Sequence, residues 1–244
     1  MLTSLDDELQ AAAGGDRPNL GTTSALLNRT VQALAAFSGL AMESMTRGHA
    51  WRFLDMGRRL ERATSLVLLL ENTLTGPTPR EAPLLEAILE IADSGMTYRR
   101  RYLANLQPAP VVDLLLTDET NPRSAVFQLR ALVDHIEALP NPAGAGLRSP
   151  QMRVALSILA ELQLAEVDAL TRPNAAGARP VLGELLGRLA RQIPALSESL
   201  SSGYLSHAVI SRHLGAAFDR KLEQRRPEPD DEPAEPQQVD RGEP

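Results

Sequence analysis

Residues 51–74 decide the fold, and they read WRFLDMGRRLERATSLVLLLENTL. The apolar residues of this stretch recur in alternating steps of three and four, and they are Phe53, Met56, Leu60, Ala63, Val67 and Leu70. Because this spacing brings them to one face of an α-helix, the stretch predicts a helix that buries a continuous apolar seam. Gly76-Pro77 follows directly and predicts that the helix ends near Leu74.

The segments on both sides of this stretch also have helical spacing. Before it, a stripe that begins near Thr23 predicts a helix whose apolar face consists of Leu27, Val31, Leu34, Phe37 and Leu40. After it, helices are predicted over about 83–106, 121–139, 150–170 and 181–200, with 111–116 as a short buried helix and 204–225 as a continuation. No segment predicts a sheet, so we expect an all-α fold, a single-domain bundle of about seven helices.

The charge of the chain is concentrated at its C-terminal end. Residues 227–244 hold seven acids, one base and five prolines, which predicts a disordered acidic tail. The predicted organisation is therefore a polar N-terminal segment 1–19, a helical domain 20–226 and the tail 227–244. The tail accounts for the whole net charge of −6, so residues 1–226 are neutral. A neutral domain lacks the basic surface of a general nucleic-acid binder.

Several chemistries are excluded by residues that are missing from the sequence. The chain has no cysteine, which excludes disulfides, thiolate zinc sites and a cysteine nucleophile. It has no glycine-rich phosphate loop with a lysine, and no histidine lies three residues after a glutamate. We therefore expect no metal and no cofactor. Without an apolar run of 18 residues or a leader, we also expect a cytoplasmic location and no membrane partner.

Arginines and acids are concentrated between residues 43 and 62. On the predicted helix, Arg52, Asp55, Arg59 and Arg62 share one face, about 100° from the apolar seam. This face has two interpretations. It is a solvated row of intrahelical ion pairs, which adds little stability, or it is a partly buried cluster whose guanidinium groups hold a carboxylate or phosphate.

Two further stretches carry candidate anion ligands. Residues 98–102, YRRRY, place three arginines in succession on a helix, whose stems either snorkel along the surface or line a site. In residues 121–124, NPRS, Asn121 caps a helix with proline at its first position. The free amides of that helix end either serve capping alone or bind an anion.

Three motifs in this order resemble the bacterial alpha-E domain family. They are MTRGHAWRFLDMGRRLERA at 45–63, YRRRY at 98–102, and DLLL at 113–116 followed by NPRSAVFQL at 121–129. The resemblance covers about residues 26–214. It implies an all-helical domain that is encoded beside, or fused to, a circularly permuted ATP-grasp protein, often with a transglutaminase-like protease nearby. The implied role is in an amide- or peptide-forming pathway, with the ligase chemistry on the partner.

The resemblance also implies a set of ligand-binding positions but no catalytic residue. Carried over by motif, the positions are Glu43, Arg47, Arg52, Asp55, Arg59, Glu61, Arg62, Arg101, Asn121 and Arg123. Family members open with an additional helix that contains Trp and Arg and ends in a run similar to residues 60–63. That segment is absent from this sequence, so we expect a truncated, split or shorter form.

Three hypotheses follow for the function. The first is an accessory domain, without catalytic activity of its own, that binds an ATP-grasp ligase or an anionic intermediate through the arginines. The second is an enzyme that acts on amides with Glu43 or Glu61 as general acid or base. The third is an oligomerisation bundle whose charged stripe packs against a second copy.

Overall fold

Helix is the regular secondary structure throughout the residues that the computed structural model describes, which are 6, 7, 10, 19–102, 105–141 and 147–205. The helices are α1 (Leu20–Ser44), α2 (His49–Leu74), α3 (Glu81–Ile91), α4 (Gly95–Tyr102), α5 (Pro108–Val112), α6 (Ala125–Glu137), α7 (Pro150–Gln163), α8 (Val167–Thr171) and α9 (Pro180–Leu200). Short π-helical turns follow at Asp113–Thr117 and Ser201–Leu205. These residues contain no β-strand, which confirms the predicted all-α class.

Helix α2 forms the apolar seam that its sequence predicts. Met56, Leu60, Ala63, Val67 and Leu70 are buried, and Phe53 in the second turn is half-buried. The helix ends at Leu74, as predicted. Helix α6 packs against both α2 and α7. The charged face of α2 next to the seam is therefore held close to α6.

The single helix predicted over 83–106 is wrong, because the chain breaks it after Ile91. Asp93 adopts a left-handed conformation with φ of +48°. The Ser94 amide donates to the Leu89 carbonyl at 2.8 Å and the Asp93 amide to the Glu90 carbonyl at 3.0 Å. This is the Schellman arrangement, in which a left-handed residue closes a helix C-terminus. Asp is one of the few side chains other than Gly that tolerate this conformation, so α4 starts afresh at Gly95.

The predicted helix start at Asn121 is also wrong, because α6 begins at Ala125. Ser124 is the N-cap, and its hydroxyl accepts from the Phe127 amide at 3.1 Å. Asn121 instead holds the preceding loop: it is buried, its Nδ2 donates to the Leu114 carbonyl at 2.8 Å, and its Oδ1 accepts from the Arg123 amide at 3.1 Å. The sequence could not rank two neighbouring cap residues, Asn and Ser, that favour helix starts equally.

The remaining predicted segments differ from the structure mainly in their divisions. Residues 111–116 are helical, as predicted, across α5 and the first π-helical turn, and all of them except Asp113 are buried. The helix predicted over 150–170 is divided into α7 and α8, and α8 packs against α5 and buries Leu170. The described part of the chain therefore holds nine helices rather than about seven.

Helix α1 carries its apolar stripe on an exposed face. Leu27, Val31, Leu34 and Leu40 are 52–65% exposed, whereas Ala33 and Ala41 are buried. The inner face of α1 is therefore formed by small side chains. Periodicity located the helix correctly, but it does not indicate whether another element covers the apolar face.

Arg179 joins three helix ends beneath the surface. Its side chain is 7% exposed, and it donates to the Leu74 carbonyl at 3.1 Å and the Thr171 carbonyl at 3.2 Å. It also forms an ion pair with Glu81. The last carbonyls of a helix have no donor inside the helix. The buried guanidinium of Arg179 donates to them and so stabilises the ends of α2 and α8 together.

The chain divides into two units, 1–197 and 198–244. Of the second unit the structure describes 198–205, the end of α9 and the second π-helical turn. Of the continuation predicted over 204–225, residues 206–225 lie outside the described residues, as does the predicted acidic tail 227–244. None of the described helices is long and apolar enough to span a membrane.

Candidate anion-binding site

A buried aspartate organises the charged face of α2. One carboxylate oxygen of Asp55, Oδ2, accepts from Arg59 Nε at 2.6 Å and from His135 Nε2 at 2.8 Å. The side chain of Asp55 is 12% exposed and that of His135 is 9% exposed. Arg59 Nη1 reaches Gln128 Oε1 on α6 at 3.3 Å. The charged face of α2 and the buried face of α6 are therefore joined by hydrogen bonds. We call the four residues that form them, Asp55, Arg59, Gln128 and His135, the Asp55 network.

The hydrogen bonds of His135 define its tautomer. Arg52 Nη1 lies 3.5 Å from His135 Nδ1, and a guanidinium can only donate. His135 Nδ1 is therefore the acceptor, and Nε2 carries the hydrogen that is donated to Asp55. The ring edge packs on Trp51, with centroids 5.2 Å apart and planes at 81°. In this arrangement the Nε2–H of His135 orients the Asp55 carboxylate.

The pKa of Asp55 lies below the ordinary value of an aspartate. Burial raises it, but the hydrogen bonds from His135 and Arg59, together with the positive charge of Arg59, lower it by more. Asp55 is consequently ionised at neutral pH and neutralises Arg59. Asp55 thus has its partners within the Asp55 network and forms no ion pair with the neighbouring Arg58 or Arg62 in the described residues.

Four arginines, one of them Arg59 of this network, lie near one another. We call Arg58, Arg59 and Arg62 of α2, with Arg123 of the loop before α6, the arginine cluster. The pKa of Arg62 is lowered by partial desolvation and by the positive charges of Arg58, Arg123 and Arg59. Within the described residues Arg58 and Arg62 form no ion pair, while Arg59 is bound to Asp55 and Arg123 to Asp93. The cluster therefore holds more positive charge than the carboxylates around it neutralise.

The other predicted residues are placed outside the arginine cluster. Arg101 forms an ion pair with Asp118 and donates to Thr120 Oγ1 at 2.7 Å; its pKa is raised by the hydrogen bond to Asp118. Asn121 hydrogen-bonds the backbone, as described above, and its Nδ2 also donates to Ser94 Oγ at 3.4 Å. The structure therefore places Arg101 and Asn121 in loop-stabilising contacts, and Arg123 in the cluster.

The predicted residues near the end of α1 and on the outer face of α2 are exposed. Glu43 is exposed on α1, and Glu61 accepts from Ser65 Oγ at 3.1 Å. Arg47 donates to the Met42 carbonyl at 2.6 Å and stacks over Trp51 at 4.6 Å. No ion pair within the described residues joins Glu43 or Glu61 to the arginine cluster. Of the ten predicted positions, Arg59, Arg62 and Arg123 thus belong to the arginine cluster.

Sequence reasoning missed the residues that α6 and the α3–α4 turn contribute. His135 and Gln128 are polar residues seven apart on a predicted helix, so they share a face, and both are buried. A polar pair at this spacing within an apolar face was the available signal. Asp93 gave no such signal, because its role depends on the unpredicted break after α3.

Together, the helices and the arginine cluster define an all-helical domain with a candidate anion-binding surface. In the described residues no group of three histidine, cysteine, aspartate or glutamate side chains could hold a metal ion. The chain belongs to the Alpha-E family, described as a predicted alpha-helical domain with a conserved ER motif, whose model matches residues 1–205. This sequence has one Glu-Arg pair, Glu61-Arg62, and its arginine lies in the cluster.

The chain is also similar to uncharacterized mycobacterial proteins. One from Mycobacterium bovis and two from strains of Mycobacterium tuberculosis are each 32% identical to it over 180 residues. The matched region is 72% of this chain and 20% of each relative. The chain thus spans about a fifth of the length of the curated relatives it matches. No solved structure matches it.

Proposed function

We propose that this domain binds a carboxylate or phosphate group through the arginine cluster and has no catalytic activity of its own. The observation that carries the proposal is that Arg62 and Arg123 line one groove, next to Arg58 and Arg59 of α2, with two of the four lacking an ion-pair partner in the described residues. Guanidinium groups that repel one another are stabilised when an anion sits between them. Planar forks with five donors match the geometry of carboxylates and phosphates.

The Asp55 network supports this proposal because it fixes the scaffold of the cluster. Arg59 is held by Asp55 and Gln128, and its guanidinium lies 5.8 Å from the Phe127 ring centroid. A positioned first arginine lowers the conformational entropy that must be lost on binding an anion. Arg62 is the residue of the cluster that remains exposed and unpaired in this part of the chain, so it is the ligand we assign first.

Titration of the full chain with acetate and with inorganic phosphate, followed by NMR at constant ionic strength, tests the site. We expect saturable binding that Arg62→Gln weakens about tenfold, the equivalent of ~1.4 kcal/mol. Arg153→Gln is the matched control, since Arg153 is an exposed arginine of α7 that no described interaction joins to the cluster. Equal affinities in wild type and Arg62→Gln would reject the assignment.

The partner we propose is a circularly permuted ATP-grasp ligase, with a transglutaminase-like protease as a further partner, in the cytoplasm. An acyl phosphate, the intermediate of ATP-dependent amide formation, carries both of the groups that an arginine cluster can recognise. The neutral charge of residues 1–226 argues against a nucleic-acid partner. Co-purification with the nearest encoded ATP-grasp protein, and ligase ATP turnover with and without the domain, test this part of the proposal.

The exposure of two glutamates bears on the enzyme alternative. An acid or base that acts on an amide needs a partly desolvated carboxylate in a cleft. Glu43 and Glu61 are both exposed, and the hydrogen bond that Glu61 accepts within the described residues comes from Ser65 of its own helix. This weighs against catalysis by either glutamate and favours the binding role. The oligomerisation alternative is tested by light scattering, in which a monomer at high concentration removes it.

A further inference from the structure

We infer that the ligand of the arginine cluster is an aliphatic acid: a carboxylate whose apolar chain lies in the groove between α2 and the α3–α4 turn. The inference rests on the proposed anion site and adds the chemistry of the rest of the ligand. The groove has a volume of about 550 Å³. That is within the range of ~300–1,000 Å³ found for small-molecule sites.

The groove begins at the arginine cluster and follows α2 away from it. Its lining on α2 starts at Arg62 and ends at Thr73, a distance of roughly 16 Å along the helix. Arg123 and Asp93 also line it, and these two side chains form an ion pair. Arg62, Arg123 and Asp93 together carry a net charge of +1, so the groove wall retains one uncompensated positive charge.

The remainder of the groove is aliphatic. Leu66, Leu68 and Leu69 of α2 line one wall, and Ile91 at the end of α3 lines the other. Ile91 is 68% exposed and Leu68 is 43% exposed. Large apolar side chains that are exposed side by side in a concave surface are a usual mark of a ligand-binding groove.

The polar side chains of the groove have already used hydrogen-bonding groups within α2. Asn72 Nδ2 donates to the Leu68 carbonyl at 2.7 Å, and Thr73 Oγ1 donates to the Leu69 carbonyl at 2.5 Å. Ser65 Oγ donates to Glu61 at 3.1 Å. The strongest donors left for a ligand are therefore the guanidinium groups, and the rest of the ligand meets a mainly apolar surface.

A second cavity, of about 810 Å³, has the opposite chemistry. Glu86, Glu90 and Asp93 line it, with Arg99 at 3.7 Å from Glu86 as the positive charge among its lining residues. An acid would be repelled there. The two cavities share Asp93, so the pairing of Asp93 with Arg123 keeps a negative charge near the arginine end of the first groove.

The test compares acetate, octanoate and octanol as probes of the full chain, followed by NMR at constant ionic strength. Each methylene that leaves water strengthens binding about fourfold, so we expect octanoate to bind at least tenfold more tightly than acetate. We expect octanol to bind more weakly than octanoate because it lacks the charge. N-acetyl-leucine is probed in the same way. If it binds more tightly than octanoate, the ligand is a peptide-like acid, and if octanoate binds more tightly, the ligand is a fatty acid.

Two variants separate the apolar and charged contributions. Ile91→Gln is expected to reduce the preference for octanoate over acetate at least threefold. Its matched control is Leu164→Gln, an exposed leucine just after α7 and outside the groove, which is expected to change neither affinity. Arg62→Gln is expected to weaken both acids. The exposure of Ile91 means that the fold survives its replacement.

The outcomes distinguish the inference from the proposed function. If acetate binds and responds to Arg62→Gln, but octanoate binds no more tightly, the aliphatic groove is rejected and the anion site stands. If octanol equals octanoate and Arg62→Gln changes neither, the anion site itself is rejected. If Ile91→Gln loses the preference for octanoate and the control Leu164→Gln keeps it, the inference is supported.

Discussion

Replacing Asp55 with asparagine should destabilise the domain although it only replaces one carboxylate oxygen with an NH2 group. Oδ2 of Asp55 accepts two hydrogen bonds, from Arg59 at 2.6 Å and from His135 at 2.8 Å. Each bond to a charged group contributes about 1.5–3 kcal/mol net, and two bonds to one oxygen are not additive, so we expect a loss of roughly 3 kcal/mol. The side chains of Asp55 and Arg59 are only 12% and 20% exposed, so solvent screens little of this.

Urea denaturation at pH 7, followed by circular dichroism, measures this loss. Asp134→Asn is the control, because Asp134 is an exposed aspartate on α6, one position before His135. We expect it to change the free energy of unfolding by less than about 0.5 kcal/mol. Asp55→Asn with wild-type stability would refute the view that Asp55 organises the charged face of α2.

The pH dependence of the same difference gives a second test. Burial raises the pKa of Asp55, but the hydrogen bonds from His135 and Arg59 lower it by more, so that it lies below its ordinary 3.8 in the folded state. A lowered pKa stabilises the folded state fully above the unfolded pKa, and this contribution is lost as the pH falls through the folded pKa. The difference between wild type and Asp55→Asn should therefore be present above about pH 4 and shrink as the pH falls below that value. A difference that does not change with pH would show that the charge of Asp55 contributes nothing.

Four other substitutions test the fold by the same urea measurement. Asn121→Ala should cost about 2 kcal/mol, because it leaves the buried Leu114 carbonyl without its donor; a neutral result would mean that water replaces the amide. Leu70→Ala, at a side chain with no exposure, should cost about 3 kcal/mol, while Leu27→Ser, at 58% exposure, should change stability by less than about 0.5 kcal/mol. A large effect of Leu27→Ser would show that its face is covered. Arg179→Ala should cost about 2 kcal/mol or more, since it removes a donor from two helix ends; a loss below about 0.5 kcal/mol would show that these carbonyls find other donors.

The elements that local spacing determines were predictable from the sequence. The apolar residues of α2 recur with helical period, and the structure buries five of the predicted six. The predicted helix boundary was wrong where two nearby residues are both good N-caps, as Asn121 and Ser124 are at the start of α6. The boundary after α3 was missed because the left-handed residue that ends the helix is Asp93. Aspartate adopts this conformation less often than glycine, so the sequence does not indicate the break.

The candidate site was predictable only in the part that lies on one helix. The helical spacing of Arg52, Asp55, Arg59 and Arg62 is enough to place them on one face. Spacing does not show that His135, 80 residues away in sequence, hydrogen-bonds to Asp55, or that Arg123 lies beside Arg62. Such pairings depend on how helices pack, and a single sequence carries no record of them. Only the structure therefore distinguishes Asp55, which is held in the Asp55 network, from Arg62, which is exposed and can contact a ligand.

The stability of Arg62→Gln with and without phosphate tests the central claim most directly. Because Arg62 lies among three other arginines, we expect the variant to be at least as stable as wild type in phosphate-free buffer. At a phosphate concentration of ten times the dissociation constant, wild type should gain about 1.4 kcal/mol by linkage, and the variant should gain much less. If the variant is less stable without phosphate and gains as much as wild type with it, the arginine cluster is a structural feature and not an anion site.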